Sequence, residues 1–337
     1  MAAQERGKSS GWGRVGAAVL LLTALLSLIM VAFAWPATRA GVHDIPLAVA
    51  GPAPVAAQVV QQLESKRPGA FDVRTVGDTA AAERLIRDRE VYGAIDLTSG
   101  KPQLIIASAA SPAVAQALQQ VAQGLAGNQS EVAVRDLVPL PVDDPRGAGL
   151  AAGALPLVLG GIIAAGLLTS LIVGMGRRVA GALAFAVTGG LALVGILQYW
   201  LGSLEGDFWR NSGVVALSIA ATALAILGLE SLLGVRGLAL GAATMMLLGN
   251  PLSGLTSAPE MLPSGWGTFG QYLPPGAAGS LLRSTAFFDG AGAAPHVWVL
   301  AAWAVFGLLL VVLAGVRRSR RPAPEGSQVV AKVHAAA

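Results

Sequence analysis

Residues 150–178 read LAAGALPLVLGGIIAAGLLTSLIVGMGRR. From Leu150 to Val173 no side chain ionises, and the run closes on Arg177 and Arg178. A helix rising about 1.5 Å per residue crosses the roughly 30 Å hydrocarbon core of a bilayer in about 20 residues. The arginines behind it mark the end that resists translocation. This stretch is a transmembrane helix followed by a cytoplasmic loop.

Five further apolar runs of comparable type, uncharged except for Glu230, flank it: Val15–Ala34, Val179–Leu201, Gly213–Val235, Leu238–Leu255 and Val297–Val316. The composition agrees, because 54% hydrophobic and only 12% charged residues over 337 positions leave too little polar surface to cover a soluble domain. The net charge of +4 does not point to nucleic acid, because the excess sits in clusters abutting apolar runs, such as Arg317, Arg318, Arg320 and Arg321. The chain has no cysteine, so no thiolate chemistry is available. His43, His296 and His334 lie far apart without metal-ligand spacing and read as surface or interfacial residues. No phosphate-loop pattern occurs, and Gly174-Met175-Gly176 reads as loop and packing. The expectation is a non-catalytic chain without a cofactor.

If all six runs span, Arg6, Lys8, Arg14, Arg177, Arg178, Arg236 and the terminal cluster share one side. That side is cytoplasmic by the positive-inside rule. The long mixed segment and the acidic loop with Glu205 and Asp207 fall outside, as do Trp35, Tyr199, Trp200 and Trp298 at the outer helix ends. The expected organisation is a cytoplasmic N-terminus over 1–14, a first helix over 15–34, an extracytoplasmic α/β domain over 36–149, a five-helix region over 150–316 with an outer hairpin at 256–295, and a basic, disordered cytoplasmic tail over 317–337. The fold class is therefore membrane α-helical, six transmembrane helices with an α/β extracytoplasmic domain between the first two. The basic start and the Ala32-Phe33-Ala34 end of the first helix also suit a cleavable signal peptide, but its apolar core is longer than the usual ~7 to 15 residues, and retention is expected.

Within 36–149 the periodicity switches between two and 3.6. Strands are expected at Ile45–Ala50, Phe71–Val76, Val91–Leu97 and Leu104–Ala107, and helices at Pro54–Lys66, Asp78–Arg89 and from Ser111-Pro112 to about Leu125. Strands alternating with helices imply a parallel or mixed sheet. The charges from Glu83 to Glu90 read as a solvated face laced with local ion pairs. Asn128-Gln129-Ser130 matches a glycosylation triplet, a common chance pattern. In the membrane region, Gly149/Gly153, Gly161/Ala165, Ala182/Ala186 and Gly237/Gly241 are expected to pack on other helices or on a second copy, with ordinary bundle packing favoured over a dedicated dimer motif.

Two places carry candidate functional residues. Glu230 is the one ionisable group well inside a predicted span, at a cost of about 3 kcal/mol on insertion scales, and Arg236 is its nearest candidate partner. After the fifth run, Asn250-Pro251 interrupts the helix, and Pro259, Pro263, Pro274 and Pro275 punctuate an aromatic-rich hairpin. Its segment Gly276–Phe288 is expected to be amphipathic, with Leu281, Leu282, Thr285 and Phe288 on the apolar side and Arg283 off it.

With this layout the chain resembles the membrane subunits of ABC-2-type exporters and the related phage-infection-protein-like membrane proteins. Asp78–Leu97, DTAAAERLIRDREVYGAIDL, is similar to a segment of that group's external domain, and SGLTSAPEMLPSGW with YLPPGAAGSLLRSTAFFDG resembles the proline-marked hairpin between its last two helices. The resemblance implies a dimeric, homo- or heteromeric, subunit in the cell membrane that works with a separate ABC ATPase and moves an amphipathic or hydrophobic substrate outward. The alternative is an envelope-organising or receptor-like protein without transport. One departure from the group's pattern is the loop around Gly174–Arg178, too short for the helix on which an ATPase docks.

Overall fold

The computed structural model describes residues 11–126 and 132–320. The Asn128-Gln129-Ser130 triplet, Arg321, His334, and Arg6 and Lys8 lie outside the described residues.

Helix α1 runs Trp12–Arg39, longer at both ends than the apolar run, and leads into the sheet domain. The domain follows as β1 (Ile45–Ala50), α2 (Ala53–Lys66), β2 (Phe71–Val76), α3 (Thr79–Arg87), β3 (Gly93–Asp96), β4 (Gln103–Ile106), α4 (Pro112–Ala126) and β5 (Ala133–Asp136). The strand order is β2-β1-β3-β4-β5, parallel throughout except for β3 against β4, which the Ser99–Pro102 turn joins as a hairpin. The alternation of β1 settles the layering. Ile45, Leu47 and Val49 face α2 and α4, whereas Ala48 and Ala50 face α3. The small alanines let α3 lie close on its side of the sheet, with Ala82 and Ile86 wholly buried. Asp78 starts α3 by accepting a hydrogen bond from the Ala81 amide at 2.6 Å. The Asp96 carboxylate, at the end of β3, is pushed up by burial but drawn further down by hydrogen bonds from Thr98 and Thr79, and it stays ionised.

The helical region comprises α5 (Ala148–Leu171), α6 (Met175–Gly195, continued by a π turn to Trp200), α7 (Phe208–Leu233), α8 (Val235–Ala243, continued by a π turn to Gly249), short α9 (Trp266–Gln271), α10 (Pro274–Phe287) and α11 (Ala293–Ser319). Among the described residues five helices, α1, α5, α6, α7 and α11, are long and apolar enough to cross a membrane. This is a multi-pass membrane α-helical protein carrying a small sheet. The fifth run stops at Gly249 rather than Leu255. Asn250-Pro251 ends it after about 22 Å of helix, short of a full hydrocarbon core.

Helix α7 is the hub, buried along most of its length and packed by α5, α6, α10 and α11. Glycines let backbones meet there. A β-carbon on Gly307 of α11 would stand 2.3 Å from the Leu224 carbonyl of α7, and one on Gly228 would stand 2.5 Å from the Gly307 oxygen. The small-residue pairs serve packing inside the chain. Gly161 abuts Thr222, Gly241 abuts Ile226, and Ala182 and Ala186 are buried. Helix α1 stands apart with its apolar length exposed, and only Pro36 is buried. Its last turns meet the hairpin, with Trp35 edge-on to Trp266 at 5.6 Å and the Gly41 amide donating to the Met261 carbonyl at 2.9 Å.

Candidate functional site

The hairpin is bolted to the sheet domain. Ala258 is fully buried in the α2/α4 layer with Met261 beside it, and Phe288 enters the α3 layer. Ser111, at the start of α4, donates its hydroxyl to the Ser257 carbonyl at 2.6 Å. The Tyr92 hydroxyl, just before β3, donates to Glu260 at 2.7 Å. Arg89 crosses to α10, where it donates to the Ser280 carbonyl at 2.8 Å and to the Ser284 hydroxyl, with its guanidinium over the Phe288 ring.

Arg89 reaches α10 because the chain breaks rule there. Helix α3 ends at Arg87, two residues earlier than the sequence suggests, and Arg89 takes φ 61°, the left-handed region that side chains seldom occupy. Its charged neighbours lie on a solvated face, but of their ion pairs only Glu83–Arg87 is local. Glu83 pairs with Arg87 and Arg135, and Arg74 pairs with Glu90. Arg89 does not belong to that face, and the reading is corrected on both points.

Between domain, hairpin and the start of α11 lies a cleft of about 400 Å³, walled by Tyr92, Glu260, Gln271, Ser280, Arg283 and His296 and joined by Arg89. Helix α10 positions much of it. Pro274 and Pro275 open this helix where missing amide hydrogens cost nothing. Every residue from Pro274 to Ala286 is buried, so α10 is not an amphipathic surface helix, and Arg283 is not off the buried side but 4% exposed within it. Packing from all sides by α7, α9 and α11 overrides the pattern. Arg283 donates one hydrogen bond, to the Leu255 carbonyl at 3.1 Å, while its Nε has no partner. Gln271 ties the two arms, donating to the Ser253 carbonyl at 2.9 Å and accepting from Ser280 at 2.6 Å.

Burial pushes the Tyr92 hydroxyl well above its ordinary value, and Glu260 adds to the effect, so Tyr92 stays a neutral donor. Burial draws the Arg89 guanidinium below its ordinary value, although Tyr92 and Glu260 oppose this. Among the described residues neither Arg89 nor Arg283 forms an ion pair.

The remaining residues marked in the sequence are distributed as follows. Pro259 lines the cleft and starts a single 3-10 turn with Glu260 and Met261. Asn250 and Pro251 end α8, the Asn250 carbonyl accepting from Ser253, and Pro263 accepts from the Trp266 amide. Pro275 seats against Gly249, where a β-carbon would lie 2.7 Å from its ring, so the end of α8 and the start of α10 meet. Glu230 is at the other end of the bundle. Its partner is Arg178, 3.2 Å from both carboxylate oxygens, and not Arg236, which is exposed at the start of α8. The α5–α6 corner, folded back by three residues, points Arg178 at α7, whereas Arg236 follows the Gly234 bend and turns away.

Arg89, Tyr92, Glu260, Gln271, Ser280 and His296 were not marked in the sequence as site residues. Arg89 and Tyr92 find their partners 168 to 195 positions away, so no local spacing links the two walls of the cleft. His296 is half-buried at the cleft wall. Among the described residues no group of three or more histidine, aspartate or glutamate side chains is placed to hold a metal ion. No family model, curated protein or solved structure matches the chain.

Proposed function

We propose that the chain is the membrane subunit of an ABC-2-type exporter that moves an amphipathic or hydrophobic substrate outward with a separate ATPase, acting as a dimer in the cell membrane. In this reading α8 and α10 together make the sixth crossing as two half-helices, both termini are cytoplasmic, and the sheet domain is outside. The arginines at the end opposite the sheet support that orientation, since Arg177, Arg178, Arg317 and Arg318 cluster there with Glu230.

The observation that carries the proposal is the break between α8 and α10. Irregular backbone at membrane depth is tolerated only where protein shelters it or where it lines a cavity, and over 250–258 Leu252, Ser253, Leu255 and Ala258 are buried, with the cleft lining beginning at Pro259. Interrupted helices meeting at such a place are the usual construction of transporter binding sites. Substrate would pass along the bundle and leave where the domain clasps the hairpin. The ATPase supplies the energy, and this chain supplies the path.

A second reading has its own support. The link between α5 and α6 is only residues 172–174, which leaves no docking helix for an ATPase and favours an envelope-organising or receptor-like protein. Co-expression with an ABC ATPase encoded beside it, followed by reconstitution in vesicles, separates the two. ATP-dependent efflux supports the exporter, and its absence despite a formed complex supports the second reading.

A further inference from the structure

We propose that the cleft between the sheet domain and α10 binds the acidic head of an amphipathic ligand, a singly charged phosphate or carboxylate group. The inference does not depend on transport.

Its basis is charge left unmatched. Arg283 is 4% exposed, yet its guanidinium makes one hydrogen bond and leaves Nε without a partner. A buried guanidinium has five donors in a fixed fork, and the fork matches an oxyanion. Arg89, beside it, spends one nitrogen on α10 and among the described residues has no carboxylate in ion-pair range. Against these two cations the inner wall holds one carboxylate, Glu260, which already accepts from Tyr92. Glu90, at the rim, is held by Arg74 at 2.5 Å. The inner wall is therefore one positive charge in excess, enough to balance a monoanion and too little for a dianion. Burying an unpaired cation is costly, so an anion in this place would remove a standing penalty.

The rest of the wall indicates the ligand's body. Val91, Tyr272, Pro295 and Val299 line the cleft beside the arginines, and Pro295 and Val299 belong to α11, an apolar helix of membrane length. A volume of about 400 Å³ holds a head group and the first part of a chain, not a whole diacyl lipid. A molecule lodged there has its acid at Arg283 and its apolar part toward α11.

The test uses the full chain in neutral maltoside detergent, with calorimetric titration by short-chain phosphatidylglycerol and, separately, by inorganic phosphate. The lipid is expected to bind, and Arg283→Met to weaken it about tenfold or more, the loss of one charge-assisted hydrogen bond. Thr268→Trp, at an exposed position on the cleft wall, keeps both arginines and is expected to block binding as well. Lys101→Met, in the β3–β4 turn outside the cleft lining, is expected to change little. Binding of lipid alone assigns the site to an amphiphile's head, and binding of both probes with the same sensitivity assigns it to the acid group whatever its source. Failure of both to bind, or binding indifferent to Arg283→Met and Thr268→Trp, overturns the proposal.

Discussion

Arg178 holds Glu230 at 3.2 Å through both carboxylate oxygens while donating to the Ile172 and Thr169 carbonyls at 2.8 and 2.9 Å. One side chain thus closes the α5–α6 corner and fastens it to α7. The two side chains are 18% and 12% exposed, so the pair is largely shielded from water. Removing either partner leaves the other buried and uncompensated. Arg178→Met and Glu230→Gln are each expected to lower stability by about 1–3 kcal/mol, and the double variant to lose less than the sum. A thermal-unfolding cycle in detergent measures this. Strict additivity would show that the two do not interact.

The α7–α11 contact gives a second prediction. With Leu224 and Ala225 backbone atoms about 2.3 to 2.5 Å from a β-carbon on Gly307, and with backbone rather than a flexible side chain in the way, the helices must separate to admit one. Gly307→Ala is expected to destabilise by about 1–3 kcal/mol. Gly213→Ala, on the open flank of α7, is expected to be neutral or slightly stabilising. Equal unfolding temperatures for the two variants would contradict the packing.

Most of the sheet domain is legible from its sequence. The edges of β1 and β2 follow from runs of apolar and β-branched residues ended by glycines, and α3 begins at the capping Asp78. Strand β5 escapes because Ala133–Asp136 is short, carries two charges and is mostly exposed, with no buried face to leave a pattern. The cleft is illegible for a different reason. Arg89 and Ser280 are 191 positions apart, and the left-handed turn that joins them follows from tertiary packing. Helix α10 shows the same limit, since period alone cannot tell a helix exposed on one side from one enclosed on all sides. The break at Asn250-Pro251 needed no such help, because a proline forbids the helix locally.

The proposed orientation is open to labelling. The chain has no cysteine, so Ser99→Cys in the β3–β4 turn and Val173→Cys in the α5–α6 link each introduce a single exposed thiol. An impermeant maleimide added to intact cells is expected to label Ser99→Cys and to reach Val173→Cys only after the membrane is opened. The reverse pattern would put the sheet domain inside.

The central claim is that the clasp between sheet domain and hairpin opens to release substrate. The Ser111 hydroxyl and the Ser257 carbonyl are 2.6 Å apart across that clasp. Cysteines at these two positions place one thiol on each side of the clasp, and loss of both free thiols on oxidation reports that the bridge has formed. ATP-driven efflux from vesicles containing the Ser111→Cys/Ser257→Cys variant and its ATPase is expected to stop when the bridge forms and to return on reduction. Efflux that continues unchanged with the bridge fully formed would contradict the account.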